Sequence, residues 1–344
     1  MRWSLDVPGA GPAALFPPGA GEAVERRPGR GAFAGMEFLH VRARRIINTL
    51  GPSPLPFRHT VNAYRGCSHA CTYCFARPTH GWLELDIDEG FERQVVVKIN
   101  AVARLRAELA PRRWAGEGIA MGTNTDPYQR SEGIYGLTRG LIEVLSAARN
   151  PFSVLTKSSL VLRDLDLLVE AAGRTDVAVN FSIGTLDPDV WQATEPGTPH
   201  PRRRIEALAR LRDAGIRCGV LVAPVLPGLS DDQAGLDAVV AAATAAGASS
   251  VSGGQVVYLE DGTREVFLRH LTRTHPHLVE RYRSLYGGVH APRELRREVS
   301  RRLASAIDRH RGTAVALTSR RPAAPAAGTP APAPPAGDQL ALWP

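Results

Sequence analysis

Between residues 59 and 259 short β-branched runs alternate with longer amphipathic stretches. The runs are HTVNAY (59–64), QVVVKI (94–99), GIAMG (118–122), FSVLT (152–156), VAVNFSI (177–183), CGVLVAPV (218–225) and SVSGGQVVYL (250–259). Their length and β-branched content predict strands. PRRRIEALARLRDAG (201–215) predicts a helix: it opens with Pro, places Ile205, Leu208, Ala209 and Leu211 on one face, and stops at Gly215. SDDQAGLDAVVAAATAAG (230–247) predicts another, with a Ser cap, an acidic first turn and a closing Gly. Strand–helix alternation of this kind predicts a parallel sheet, open or closed as a barrel. Ligand sites then lie at the C-terminal ends of the strands.

The flanks lack this rhythm. Residues 1–35 are rich in Gly, Pro and Ala and are expected to be loosely ordered, which leaves 36–290 for the α/β domain. PRELRREVSRRLASAIDRHRG (292–312) repeats Leu295, Val299, Leu303 and Ile307, so an amphipathic helix is expected over 291–312. Its arginine-rich outer face is either simply solvated or able to grip a phosphate backbone. The Pro/Ala-rich stretch 313–338 is expected to be a disordered linker, ahead of an apolar peptide at 339–344.

Composition narrows the class. The 344 residues are 44% hydrophobic and 22% charged. No apolar run approaches the ~20 residues of a membrane span, and the first residues lack a signal peptide's apolar segment. A cytoplasmic chain with reduced thiols is expected. The formal charge of +8 is compatible with a polyanionic partner. Of 42 basic residues only Lys98 and Lys157 are lysine, an arginine bias of the kind a GC-rich genome produces.

Three of the four cysteines fall in NAYRGCSHACTYCFARP, as Cys67, Cys71 and Cys74. The loop follows the first predicted strand, and its spacing is C-x3-C-x2-C. With reduced thiols, metal binding or catalysis is the leading reading. Three thiolates at these intervals suit three corners of a cubic iron–sulfur cluster, leaving one iron open. Zinc is the alternative, with His69 or His80 as fourth ligand. A second cysteine pair is missing, however, and His69 sits two residues from each neighbouring cysteine, closer than usual zinc spacings. Cys218 opens the sixth predicted strand and reads as a small core residue.

RGCSHACTYCFAR, with Tyr73 just before the last cysteine, resembles the signature of the radical S-adenosylmethionine (SAM) superfamily. GTNTDPYQ (122–129), LTKSSLVLRDLDLL (155–168), FSIGTLD (181–187), EPGTPHP (195–201) and VLVAPVLPGLSD (220–231) resemble its spore photoproduct lyase and DNA repair photolyase-like branch, in the same order. The resemblance implies a partial (β/α)6 TIM-type barrel. It also implies a 4Fe-4S cluster on Cys67, Cys71 and Cys74, and SAM cleaved to a 5′-deoxyadenosyl radical. For SAM it implies contacts from Tyr73, Thr125, Asp126, Lys157 and Ser182. A Lys157 ammonium is suited to the SAM carboxylate, and hydroxyls to its ribose or amino-acid part. Lys98 ends the second predicted strand, on the same rim, either as a ligand or as a solvated strand-end lysine. Asp126 either touches SAM or fixes the DP turn.

Two positions depart from the branch. Thr123 stands where spore photoproduct lyase has a hydrogen-donating cysteine, and Phe75 where it has a tyrosine. The resemblance therefore implies shared cofactor handling with a different reaction. DNA is the expected substrate, with RNA, a small molecule, or a non-catalytic zinc-stabilised nucleic-acid-binding module as alternatives. An electron donor such as flavodoxin or ferredoxin is implied. QLALWP resembles the bacterial sliding-clamp binding motif, with Gln339 as polar contact and Leu340, Leu342 and Trp343 entering an apolar pocket.

Overall fold

The structure, a computed structural model, describes residues 25–310 apart from 54, 111–113 and 261. The strands are β1 (Glu25–Pro28), β2 (Glu37–Val41), β3 (Ile47–Thr49), β4 (His59–Val61), β5 (Tyr64–Arg65), β6 (Gln94–Lys98), β7 (Ile119–Met121), β8 (Phe152–Thr156), β9 (Val177–Ser182), β10 (Arg217–Val222) and β11 (Ser250–Gly253). One sheet has the order β11-β10-β9-β8-β7-β4-β3. From β4 to β11 its strands are all parallel, and only β3 runs antiparallel at the edge. This is the expected partial (β/α)6 barrel. Its register places strand ends side by side: Thr156 pairs with Phe181, Ser182 with Leu221, and Val222 with Gly253.

The QVVVKI run departs from expectation. It forms β6 in a second sheet, ordered β1-β2-β6-β5, rather than the second barrel strand. Burial on both faces explains the placement: Val95 and Val97 pack into the main core, and Val96 into a small cluster with Leu39, Val41 and Leu83. The HTVNAY run is likewise divided between sheets, as β4 and β5. Residues 25–35, expected to be loosely ordered, instead form β1 and the turn of a hairpin with β2. Residues 1–24 lie outside the described residues.

The Pro201–Asp213 helix starts at Pro as predicted. Its buried face holds Leu208 and Leu211, but also Arg204, which hydrophobic patterning alone assigns to solvent. The Gln233–Ala245 helix is capped by Asp232, which accepts from Gly235 N. The Ser230 hydroxyl expected at that cap accepts instead from Leu226 N, three residues before the helix begins.

The Arg293–His310 helix buries Val299, Leu303 and Ala306 and packs on the Gln233–Ala245 helix. Several of its arginines face partners in the chain: Arg301 pairs with Glu298, Arg302 donates to Asp231 O at 2.7 Å, and Arg309 pairs with Asp237. The linker and the 339–344 peptide lie outside the described residues. No described helix is long and apolar enough to cross a membrane.

Candidate functional site

The cysteine loop leaves β5 and is held from beneath by Arg77, whose side chain is wholly buried. Its Nε and Nη2 donate to Cys71 O at 3.2 and 3.1 Å. Nη1 reaches Ile87 O and Asp88 O, and Nη2 pairs with Glu92 at 2.5 Å. One guanidinium thus ties Cys71 of the loop to the segment holding Ile87, Asp88 and Glu92. Gln129 accepts from Ser68 N at 3.0 Å on the other side. Gly197 lies so close that a Cβ there would meet Ser68 O at 2.2 Å. Only glycine allows this approach.

All three loop thiols line one cavity of about 380 Å³ at the C-terminal ends of the barrel strands. Tyr73, Thr125, Asp126, Lys157 and Ser182 line it too, so the structure brings the three cysteines and the residues expected to contact SAM together. The remaining wall includes Leu155, Leu221, Val256, Val257 and Tyr258. Burial pushes the Cys71 thiol well up and the Cys74 thiol up to about 11. Thiol ligands lose those protons when a metal binds. The donor set fits a group that needs three thiolates and leaves one position open. Among the described residues, no three His, Cys, Asp or Glu side chains gather around a single-ion site.

Neither histidine considered for zinc stands free beside the thiols. His69 Nδ1 lies 3.3 Å from Asp126 Oδ2. Burial opposes its positive charge, but Asp126 and then Cys67 outweigh that and raise its pKa to about 10. His80 bonds Gln94 O at 2.9 Å, packs on Phe91 and does not line the cavity.

The hydroxyl, carboxylate and ammonium groups of Thr125, Asp126, Ser182 and Lys157 are already engaged. Thr125 Oγ donates to Gly66 O at 2.7 Å and accepts from Gln129. Asp126 accepts from Tyr128 N, Thr156 Oγ and Lys157 N, so its carboxylate fixes the turn and the end of β8. Ser182 Oγ donates to Ala223 O and accepts from Lys157 Nζ at 2.5 Å. Asn124 Oδ1 is buried without a hydrogen-bond partner among the described residues. Lys98, expected on this rim, is buried in β6 and donates to Asn62 O at 2.6 Å; it does not line the cavity. Cys218 is buried in β10, away from the cavity, as expected of a core residue.

Sequence reasoning missed a residue that does not line the cavity but contacts two that do, Tyr73 and Lys157. Glu195, only 5% exposed, accepts from Tyr73 OH, pairs with Arg204 at 2.5 Å and lies 3.4 Å from Lys157 Nζ. Burial alone would raise its pKa, but Arg204, Lys157 and the Tyr73 hydrogen bond hold it at about 2. Arg204 also donates to Ser182 O at 3.0 Å. The available signal was the EPGTPHP segment, which stood out without a role for its first residue.

Comparisons with known proteins agree with this geometry. The family model described as the radical SAM superfamily matches residues 61–236. An uncharacterised protein of Mycobacterium tuberculosis is 45% identical over 281 residues, covering 81% of this chain and 82% of that protein. The GTP 3′,8-cyclase of Streptomyces coelicolor is 28% identical over 205 residues, covering 58% of this chain and 52% of that enzyme. Among solved structures, spore photoproduct lyase complexed with dinucleoside spore photoproduct shares the fold, with a TM-score of 0.60 at 19% identity and 80% of each chain covered. On the extent of the family match and the shared fold, this chain belongs to the radical SAM superfamily of enzymes.

Proposed function

We propose that Cys67, Cys71 and Cys74 hold a 4Fe-4S cluster and that SAM binds beside it in the same cavity. The observation that carries this reading is the convergence of the three thiols with Thr125, Lys157 and Ser182 on one cavity at the strand ends. When bound, the cluster and SAM supply a 5′-deoxyadenosyl radical by one-electron cleavage of a sulfur–carbon bond.

The protein's own residues bind, orient and shield. An ammonium has three donors. Lys157 directs its own toward Ser182 and Glu195, leaving one for the SAM carboxylate. Thr125 and Ser182 have committed their hydroxyl hydrogens, so toward SAM they act as acceptors. The unpartnered Asn124 Oδ1 is an acceptor for a ligand N–H or O–H. The apolar wall of Leu155, Leu221, Val256 and Val257 excludes water from the reacting centre.

The proposed substrate is DNA, presented as a base at the cavity mouth. Phe75 supports this, since it lines the cavity with 47% of its surface exposed and offers a stacking face. The fold shared with spore photoproduct lyase supports it as well. The reaction differs from that of the lyase: Thr123 Oγ accepts from Asn62 at 3.2 Å and has no thiol hydrogen to give, and Phe75 has no phenolic one. RNA or a small nucleotide is the second reading, favoured by the similarity to GTP 3′,8-cyclase. A flavodoxin or ferredoxin is the proposed reductant. Recruitment to a sliding clamp through Gln339, Leu340, Leu342 and Trp343 is proposed from sequence alone.

The test is anaerobic reconstitution with iron and sulfide, followed by incubation with SAM, reductant and damaged or intact DNA. Release of 5′-deoxyadenosine with a mass change in the DNA is expected. Stoichiometric zinc in place of iron would overturn the cluster. A mass change confined to RNA or free nucleotides would replace DNA as substrate.

A further inference from the structure

Glu195 sits where a merely structural ion pair has no need to be. A carboxylate required only to neutralise buried Arg204 would be satisfied by that contact at 2.5 Å. Glu195 also accepts from Tyr73, the residue between Thr72 and Cys74, and lies 3.4 Å from Lys157. Its own segment is tied to the cysteine loop twice more: Thr72 N donates to Thr194 O and Gly197 N to His69 O, both at 3.0 Å. The segment 194–197 is therefore a brace along the loop, carrying one buried anion.

We propose that Glu195 is a positioning residue that lowers the reduction potential of the centre held by Cys67, Cys71 and Cys74, an inference that rests on the cluster reading above. The physical reason is Coulombic. Reduction adds one electron to a group already bound by three thiolates. A fixed anion screened by little water opposes that addition. Removing the anion while keeping the side chain's shape leaves buried Arg204 and partly buried Lys157 without their carboxylate partner. Both changes act in the same direction, so Glu195→Gln is expected to make reduction easier. A low potential in turn makes the reduced centre a stronger one-electron donor.

The experiment is a redox titration of the full, anaerobically reconstituted chain without SAM, with dithionite as reductant and the spin signal of the one-electron-reduced state as readout. Iron and sulfide content are measured on every sample. Glu195→Gln is expected to titrate at a more positive midpoint than wild type. Lys157→Gln removes a cation from the same network and is expected to titrate at a more negative one. Tyr73→Phe keeps the Glu195 charge and is expected to stay closer to wild type than Glu195→Gln. Equal midpoints in iron-loaded wild type and Glu195→Gln, or shifts of the same sign in the Glu195 and Lys157 variants, would overturn the role of Glu195. If Glu195→Gln assembles no cluster, the Lys157→Gln shift decides by its sign. Failure of wild type itself to take up iron and sulfide would overturn the cluster reading, a distinct result.

Discussion

The phenolic hydroxyl of Tyr73 donates to the carboxylate of Glu195, joining residues 122 positions apart in a single buried hydrogen bond. Through it the cysteine loop is attached to the network that holds Lys157 and Ser182. The thiols and the proposed SAM contacts are therefore one mechanical unit. Substitutions in either half separate according to what each side chain touches.

Cys67→Ala, Cys71→Ala and Cys74→Ala are each expected to abolish cluster assembly, because three thiolates are the minimum set on this loop. Iron and sulfide analysis after anaerobic reconstitution checks it. Full iron in any one variant contradicts the ligand assignment. Cys218→Ala is expected to retain full iron and lose on the order of 1 kcal/mol of stability, as core truncations typically do.

Lys157→Ala is expected to weaken SAM binding while the cluster survives. One charge-assisted hydrogen bond to the SAM carboxylate is lost, about 1.5–3 kcal/mol, or roughly a tenfold or greater rise in Kd. Anaerobic titration of the reconstituted protein with SAM measures it. Unchanged affinity would confine Lys157 to its contacts with Ser182 and Glu195.

Arg77→Ala is expected to cost about 3–5 kcal/mol, the range for breaking a buried ion pair from one side. It also leaves Cys71 O without its guanidinium donors, so iron uptake is expected to fall. Chemical denaturation and iron analysis test the two effects. Wild-type values in both would show that the loop holds its shape without Arg77.

His80 carries a pH dependence. Burial, chiefly, depresses its pKa from 6.5 to about 4. The unfolded chain takes up a proton near pH 6.5 while the folded one stays neutral until about 4. Stability is therefore lost progressively as pH falls across that window, by on the order of 3 kcal/mol at its full extent. Replacing His80 by Gln removes the titration and keeps a donor for Gln94 O. Thermal unfolding at pH 7.5 and pH 5 is expected to differ more in wild type than in His80→Gln; equal slopes contradict the assignment.

A synthetic GDQLALWP peptide is expected to bind a bacterial sliding clamp with affinity on the order of micromolar, limited by the ordering of a short chain. Deleting 339–344 is expected to abolish clamp association and leave SAM cleavage intact. A peptide that shows no binding at high micromolar concentration removes the recruitment proposal.

Much of this was legible along the chain. Short apolar runs separated by helical periods are local signals, and they determined the strands and the barrel class. The cysteine spacing, also local, determined the cavity's most reactive residues. Thr125, Asp126, Lys157 and Ser182 were located by the resemblance of their segments to the family's motifs, and because each ends or follows a strand, parallel pairing brings them to one rim. Tertiary structure decided the rest. The valines of β6 read as a barrel strand, because a run buried on both faces looks the same whichever sheet receives it. Arg77 and Arg204 carry no signal of burial along the chain, because pattern analysis assigns charge to solvent unless the partner is known, and Glu92 and Glu195 become partners only on folding. Periodicity and spacing act over a few residues. The pairing of Glu195 with Tyr73, Lys157 and Arg204 exists only where distant segments are packed too tightly to leave a buried charge uncompensated.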